Sequence, residues 1–378
     1  MKNDSVNLLP PVTVVIPVYN LERYLRDTVE SVLKQTYLGA KSIIILDDGS
    51  TDTSFQIAME LADKDQSIRA LTQKNQGRAK TRNRLLDLAE TEFIAWIDGD
   101  DIASPEWIND QVKFLLEHDA CVAVGGQGYA MTGQRHAIAP IEHPLSHEEI
   151  HQRHLSGQAN AFFQSCVTVR KSAVVEAGSY DERFPCAEDY SLWLRLAERG
   201  ELWNLETVHL YYRVHASSAN WTANIQQRQQ GQQILNEQRA ARGLPAIHAV
   251  DTEIPPLRKD DWNRRIYWIN LSLKSGNPYS AMGMLFIALQ KHPFSVVLWV
   301  AAVTALVDVI IGFGNQTPRF EAGKKARLGH LPQLSFYRIG RKINHLRRRL
   351  FHRNHGTTVN RSILEDSESL PSRAKKQS

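Results

Sequence analysis

The stretch FIAWIDGDD, Phe93 to Asp101, runs five apolar residues straight into three carboxylates at Asp98, Asp100 and Asp101. An unbroken apolar run reads as a strand covered on both faces. Carboxylates this close repel one another unless something positive sits among them. Two earlier stretches share the pattern: VTVVIPVYN (Val12–Asn20) and SIIILDDGSTD (Ser42–Asp52). Between and after them lie helical periods. Leu21, Leu25, Val29, Val32 and Leu33 form one apolar stripe, and SFQIAMELADKD and AKTRNRLLDLAE give two more helices. Strand and helix alternate to about residue 120, which predicts an α/β, doubly wound, mostly parallel sheet.

Beyond that point the signals are less regular. CVAVGGQGYAM, SCVTVRKSAV and ELWNLETVHLYYRVH read as strands, and DYSLWLRLAERG as an amphipathic helix capped by Gly200. Past Asn220 the chain turns helical and polar, with a Gln-rich patch from Gln226 to Gln233. Four regions follow from these shifts: a catalytic domain over 11–222, a helical extension over 223–292, an apolar helix with a basic segment over 293–355, and a polar, disordered tail over 356–378.

The chain has 378 residues, enough for one large α/β domain with a full core. Its net charge of +4 hides an asymmetry. Between Arg319 and Arg353 the Lys and Arg residues stand against Glu321 alone. Such a segment favours an anionic surface such as a membrane face, and nothing in the pattern calls for nucleic acid. Cys121, Cys166 and Cys186 show no metal spacing, which fits free thiols in a reducing compartment. The opening MKNDSVNLLPP carries no apolar signal core, so the catalytic part is expected to face the cytosol.

In an open parallel sheet, ligands bind beyond the carboxyl ends of the strands. Tyr19 and Asn20 follow the first strand, Asp47 and Asp48 the second, and the DGD group the third. Neighbouring strand residues face opposite ways, so Asp47 and Asp48 cannot both meet one ligand. One of them can accept a hydrogen bond from a nucleobase N–H; alternatively DDGSTD is a turn that caps the next helix. Asp98 and Asp100 supply hard oxygen ligands for Mg²⁺ or Mn²⁺, or form a solvated turn before a helix starting near Pro105. NQGRAKTRN (Asn75–Asn83) sets a glycine among basic and amide side chains ahead of a helix, a place for a diphosphate or a plain helix start. In PCAEDYSLWLRL, Glu188 and Asp189 precede a helix whose positive end favours an ionised carboxylate. Such a group serves as a general base, or simply as an N-cap. His215, at the end of YYRVH, is a metal or diphosphate contact or a structural histidine.

These six segments, in this order from Val12 to Ser218, resemble the family 2 glycosyltransferases of the GT-A fold. The resemblance implies an inverting transferase using a nucleotide-diphosphate sugar, most simply a UDP-sugar. Pro17, Tyr19 and Asn20 then resemble the loop against the nucleoside, and Asp48 the carboxylate that reads the uracil. Gly77 and Arg82 resemble the loop beside the nucleotide. Asp98 and Asp100 resemble the metal-binding D-x-D pair, with Asp98 also reaching the ribose and His215 as a further metal contact. Asp189 resembles the catalytic base, with Glu188 beside it. The implied cofactor is Mn²⁺ or Mg²⁺. The rival reading is a catalytically inactive nucleotide-sugar-binding or scaffold module; intact Asp98, Asp100 and Asp189 speak against it.

PFSVVLWVAAVTALVDVIIGFG (Pro293–Gly314) is long enough to span a bilayer. Asp308 inside it would cost about 2.5–3.5 kcal/mol at the bilayer centre, and the basic residues beyond it would hold that side in the cytosol. An interfacial or re-entrant helix resolves the conflict; alternatively the segment packs against the catalytic domain. The expected protein is a peripheral enzyme on the cytoplasmic membrane face, acting on a glycan or lipid-linked acceptor.

Overall fold

The computed structural model describes residues 9–247 apart from 134, 136, 158, 159 and 216–223, and beyond them a few isolated helical positions between 269 and 303. All fall within the first of the chain's two units, Met1–Arg327. The apolar stretch 293–314, apart from three isolated positions, the basic segment after it and the tail from 356 lie outside the described residues. No helix among the described residues is long and apolar enough to cross a membrane.

Strand β1 (Val12–Val18) sits centrally, with β2 (Lys41–Asp47) and β4 (Phe93–Trp96) parallel on either side and β3 (Ile68–Thr72) parallel outside β2. Alternation along β1 explains the two layers. Val12, Val14, Ile16 and Val18 face one apolar cluster with α1 (Leu25–Leu33), α2 (Ser54–Lys64) and α4 (Trp107–Glu117). Val15 faces the opposite cluster, with α3 (Arg78–Leu88), α6 (Lys171–Glu176) and α7 (Glu188–Leu196). Each fully buried Val, Leu or Ile contributes about 1.5–3 kcal/mol, so both layers hold the sheet firmly. The expected doubly wound α/β arrangement is present.

The second half of the sheet changes direction. The sheet order is β3-β2-β1-β4-β8-β6-β9-β5, with β7 (Ala137–Ile141) paired to β6. β8 (Val167–Arg170) runs antiparallel between β4 and β6 (Cys121–Thr132). β9 (Glu201–Val214) is one long strand parallel to β6 with register shifts, and it also pairs the two-residue β5 (Ile102–Ala103). α5 (His147–Ser156), with a Ser146–Glu149 capping box, and α8 (Asn224–Ala241) complete the described elements.

Two sequence expectations are corrected. SCVTVRKSAV is not one strand: β8 ends at Arg170 and Lys171–Glu176 is helical. Gly200 does not cap α7, whose C-cap is Ala197. Gly200 is required by close approach instead, since a Cβ there would lie 2.4 Å from Val122 Cγ1.

Candidate active site

The chain order reverses at β1, between β2 and β4, so the carboxyl ends of these strands border the crevice where ligands bind. Asn20, following β1, adopts φ 55° and accepts the Thr51 N–H at 2.8 Å, while its own N–H donates to Ser50 Oγ. It ties the first loop to the second. Tyr19 beside it is half exposed. Pro17 lies at the end of β1, where its carbonyl would stand 3.2 Å from a Cβ on Gly99. Glycine is what lets the DGD turn close onto β1.

Asp47 and Asp48 are both buried, yet they act differently. Asp47 accepts from Ser50 N–H and Thr72 Oγ1 and is absorbed in the turn. Asp48 Oδ1 accepts from Gln76 N–H at 2.9 Å and Gln73 Nε2 at 2.7 Å, and Oδ2 from Gly77 N–H at 2.9 Å. Two carboxylate oxygens offer about four acceptor sites, which leaves room at Oδ2 for one more donor. Gly77 stands at φ 87° as the residue before α3, a conformation side chains resist. The N-cap of α2 is Thr53, without a side-chain capping bond, and Asp52 before it accepts from Ser54 N–H and Oγ.

Three basic residues stand among the DGD acids. Arg82 Nη2 donates to Asp98 Oδ1 at 2.9 Å. His215 Nε2 stands 2.8 Å from Asp100 Oδ2. Arg213, fully buried, donates its backbone N–H to Asp101 Oδ1 at 2.8 Å and its Nε to the Asp100 carbonyl at 2.6 Å. Its Nη2 reaches Asp27 Oδ2 at 3.2 Å on α1, and its plane lies 4.8 Å from the Tyr24 ring, which packs against His215. Burial, then Asp100 and Asp98, push the Asp101 carboxyl well above the ordinary range, against the Arg213 hydrogen bond. Asp101 is a buried structural member, whereas Asp98 and Asp100 keep part of their surface open.

The second acidic motif meets the first through Arg82. Its Nη1 donates to Glu188 Oε1, so one guanidinium bridges Asp98 and the first residue of α7. Burial opposes the arginine's charge, but Asp98 and then Glu188 outweigh it, and its pKa is raised. Burial raises that of Glu188 against the pull of Arg82 and Arg78. The loop before α7 is fastened to α3 by Asn83, whose amide exchanges two hydrogen bonds with the Tyr180 backbone at 2.9 and 2.8 Å. Asp189 lies inside the first turn of α7, and the N-cap is Ala187. Asp189 Oδ1 accepts the Tyr190 N–H at 2.8 Å, and Oδ2 accepts from Asn160 Nδ2 at 3.3 Å.

Among the described residues, no three His, Cys, Asp or Glu side chains enclose a metal. Mg²⁺ needs no closed cage, since it is commonly held by one or two carboxylates, waters and substrate phosphates. Asp98 and Asp100, partly open and one residue apart on a tight turn, fit that demand. Arg213, Asp27, Asn160 and His154 were not singled out by their sequence positions. Only Arg213 leaves a trace there, as a lone charge between apolar residues near the end of β9.

A mostly parallel sheet with two acidic motifs converging at the carboxyl ends of its strands places a ligand site at this edge. Residues 13–178 match the sequence profile described as Glycosyl transferase family 2. The amylovoran biosynthesis glycosyltransferase AmsE of Erwinia amylovora is 31% identical over 213 residues, covering 55% of this chain and 78% of AmsE. An uncharacterized glycosyltransferase of Haemophilus influenzae is 28% identical over 238 residues, 60% of this chain and 73% of that protein. Glycosyltransferase GlyA of Streptococcus pneumoniae is 35% identical over 114 residues, 30% of this chain but only 16% of GlyA. The crystal structure of S. aureus TarS 1–349 with UDP matches at a TM-score of 0.45 and 18% identity, covering 79% of this chain and 88% of that one. The chain belongs to glycosyltransferase family 2. It is a glycosyltransferase with the GT-A fold.

Proposed function

We propose that this enzyme moves a sugar, with inversion, from a nucleotide-diphosphate sugar of the UDP class to a hydroxyl of a glycan or lipid-linked acceptor. The observation that carries the reading is the Arg82 bridge, which joins Asp98 at the end of β4 to Glu188 at the start of the helix bearing Asp189. Donor-side acids and a carboxylate suited to base chemistry thereby belong to one assembly. Tyr19, Asn20 and the Asp48–Gly77 loop border the nucleoside side, where the remaining acceptor site of Asp48 suits the N3–H of uracil.

Asp98 and Asp100, with His215 beside Asp100, would hold Mn²⁺ or Mg²⁺. When bound, the ion offsets the charge of the departing diphosphate. Asp189 takes the proton of the acceptor hydroxyl as that oxygen bonds to the anomeric carbon and the bond to the diphosphate breaks. Attack from the opposite face inverts the configuration, through a transition state with oxocarbenium character. Glu188, buried against Arg82, orients the helix start rather than moving the proton.

AmsE carries amylovoran biosynthesis in its name, and it supports a role in envelope or exopolysaccharide synthesis. The apolar stretch 293–314 and the basic residues after it support attachment to the cytoplasmic face of an anionic membrane. Flotation with anionic and neutral vesicles checks that attachment; a chain that ignores both is not membrane-bound. The activity is tested by nucleotide release from a panel of UDP-, GDP- and TDP-sugars, with Mn²⁺ and with chelator. Metal-dependent hydrolysis of one donor, lost in Asp100→Ala and Asp189→Asn, is the expected result. Turnover unchanged in Asp189→Asn would overturn the assignment of the base.

A further inference from the structure

The reading of Asp189 as the base leaves open what holds that carboxylate. Asn160, between α5 and β8, offers its Nδ2 to Asp189 Oδ2 at 3.3 Å. Its Oδ1 accepts the Phe162 N–H at 3.2 Å and lies 3.0 Å from His154 Nε2. His154 is fully buried in the last turn of α5 and is tied to α7 as well, since Tyr190 Oη donates to its carbonyl at 2.6 Å and the two rings meet edge to face.

The protonation of that imidazole decides the direction of the chain of bonds. Burial pushes the His154 pKa down to about 4, against the Asn160 hydrogen bond and with help from His151, His143 and Arg153, so at neutral pH the ring carries one N–H. Two tautomers compete, because the Ala161 N–H also points at Nε2 from 3.0 Å. A proton on Nδ1 would satisfy Ala161. It would also strand a buried Nδ1–H, which has no partner, and press the Nε2 lone pair against Asn160 Oδ1. A proton on Nε2 makes the bond to Asn160 and leaves a bare lone pair on Nδ1, with the Ala161 N–H set against a second donor. The Phe162 N–H, which needs Asn160 Oδ1 as its acceptor, holds the amide in the orientation that receives Nε2–H, and that is the form the ring takes. Asn160 Oδ1 is then committed twice, and the amide must present its NH₂ to Asp189. The flipped amide would set an oxygen against a carboxylate.

We infer that Asn160 is a positioning residue for the base, its amide keyed by His154 so that the carboxylate of Asp189 is gripped through Oδ2 while Oδ1 takes the Tyr190 N–H. The inference rests on the base assignment made above, and the two can fail separately.

The first readout needs no donor. Long-range ¹⁵N–¹H spectra of the full chain at pH 7 report the His154 tautomer, assigned by loss of its signals in His154→Gln. The Nε2–H form is expected; the Nδ1–H form overturns the relay. The second readout is hydrolysis of the donor the sugar panel selects. Asn160→Ala is expected to lower kcat on the order of tenfold, the weight of one hydrogen bond, with the donor KM unchanged. His154→Leu should match it, and His154→Gln, which keeps a donor near the Nε2 position, should restore most of kcat. Near-UV circular dichroism confirms folding of each variant. Full kcat in His154→Leu, or a loss seen only in KM, overturns the positioning role even if Asp189→Asn is dead. Activity retained in Asp189→Asn removes the base assignment instead, whatever tautomer His154 shows.

Discussion

Arg82 and Glu188 form an ion pair almost wholly out of water, with side chains 5% and 1% exposed. The pair joins α3 to α7, and the same guanidinium goes on to Asp98. Removing one member of a buried pair strands the other charge and costs about 3–5 kcal/mol. Arg82→Leu and Glu188→Leu should each lose stability in that range. The double variant should lose less than the sum, because neither charge is then left alone. Urea denaturation of the four proteins measures the coupling. Additive losses would mean that the pair carries no coupled energy.

Asp48 is expected to matter for the donor through the loop it gathers. Three hydrogen bonds hold Gln73, Gln76 and Gly77 around its carboxylate. Asp48→Asn keeps the shape but turns an NH₂ toward one or more of these donors. Donor KM should rise roughly tenfold, with kcat little changed, since one or two hydrogen bonds of about 1 kcal/mol each are at stake. Steady-state kinetics on the selected donor separates the two parameters.

The parallel half of the sheet was legible because β1, β2 and β4 are runs of buried β-branched and aromatic residues ending in turn chemistry. β3 was missed: Ile68 is its one fully buried side chain, and on an edge the apolar pattern fades. In KSAVVE, the β-branched valines favour a strand, yet Ala173 and Val174 pack as a helix against the Leu192–Trp193 layer. The acids of the site could be read because Asp48, Asp98 and Asp100 follow strand ends and Glu188 and Asp189 open a helix, and Arg82 and His215 stand in motifs beside them. Three of their partners could not. Asp27, Asn160 and Arg213 sit on α1, a loop and a bulged strand, and only tertiary register brings them to Asp98–Asp101 and Asp189.

Metal binding can be followed apart from turnover. Mn²⁺ enhancement of water-proton relaxation should titrate with the wild-type chain and UDP together. Asp100→Ala should weaken that binding at least tenfold, and Asp98→Ala similarly, since each carboxylate is one of the few protein ligands of an ion otherwise held by phosphates and water. Asp27→Asn touches only the Arg213 side of the turn and should leave binding within a few-fold. Equal binding in Asp100→Ala would place the ion elsewhere.

Acid should weaken the fold through its buried histidines. Burial pushes both His143 and His154 down to about 4, with Arg153 nearby adding to the effect. In the unfolded chain each takes a proton near pH 6.5. Between pH 6.5 and 4 the unfolded state therefore binds more protons than the folded one, and stability falls as pH falls through that window. At 1.36 kcal/mol per pKa unit, His154 alone accounts for about 3 kcal/mol across it. Asp101 and Glu188, whose carboxyls burial pushes up, act in the opposite sense, because the folded state holds their protons longer. The histidine contribution is thus read as a difference. Denaturant midpoints of the wild type and His154→Gln, measured from pH 7 to pH 4.5, should converge as the solution is acidified. Parallel curves would show that His154 takes up its proton in the folded chain as readily as in the unfolded one.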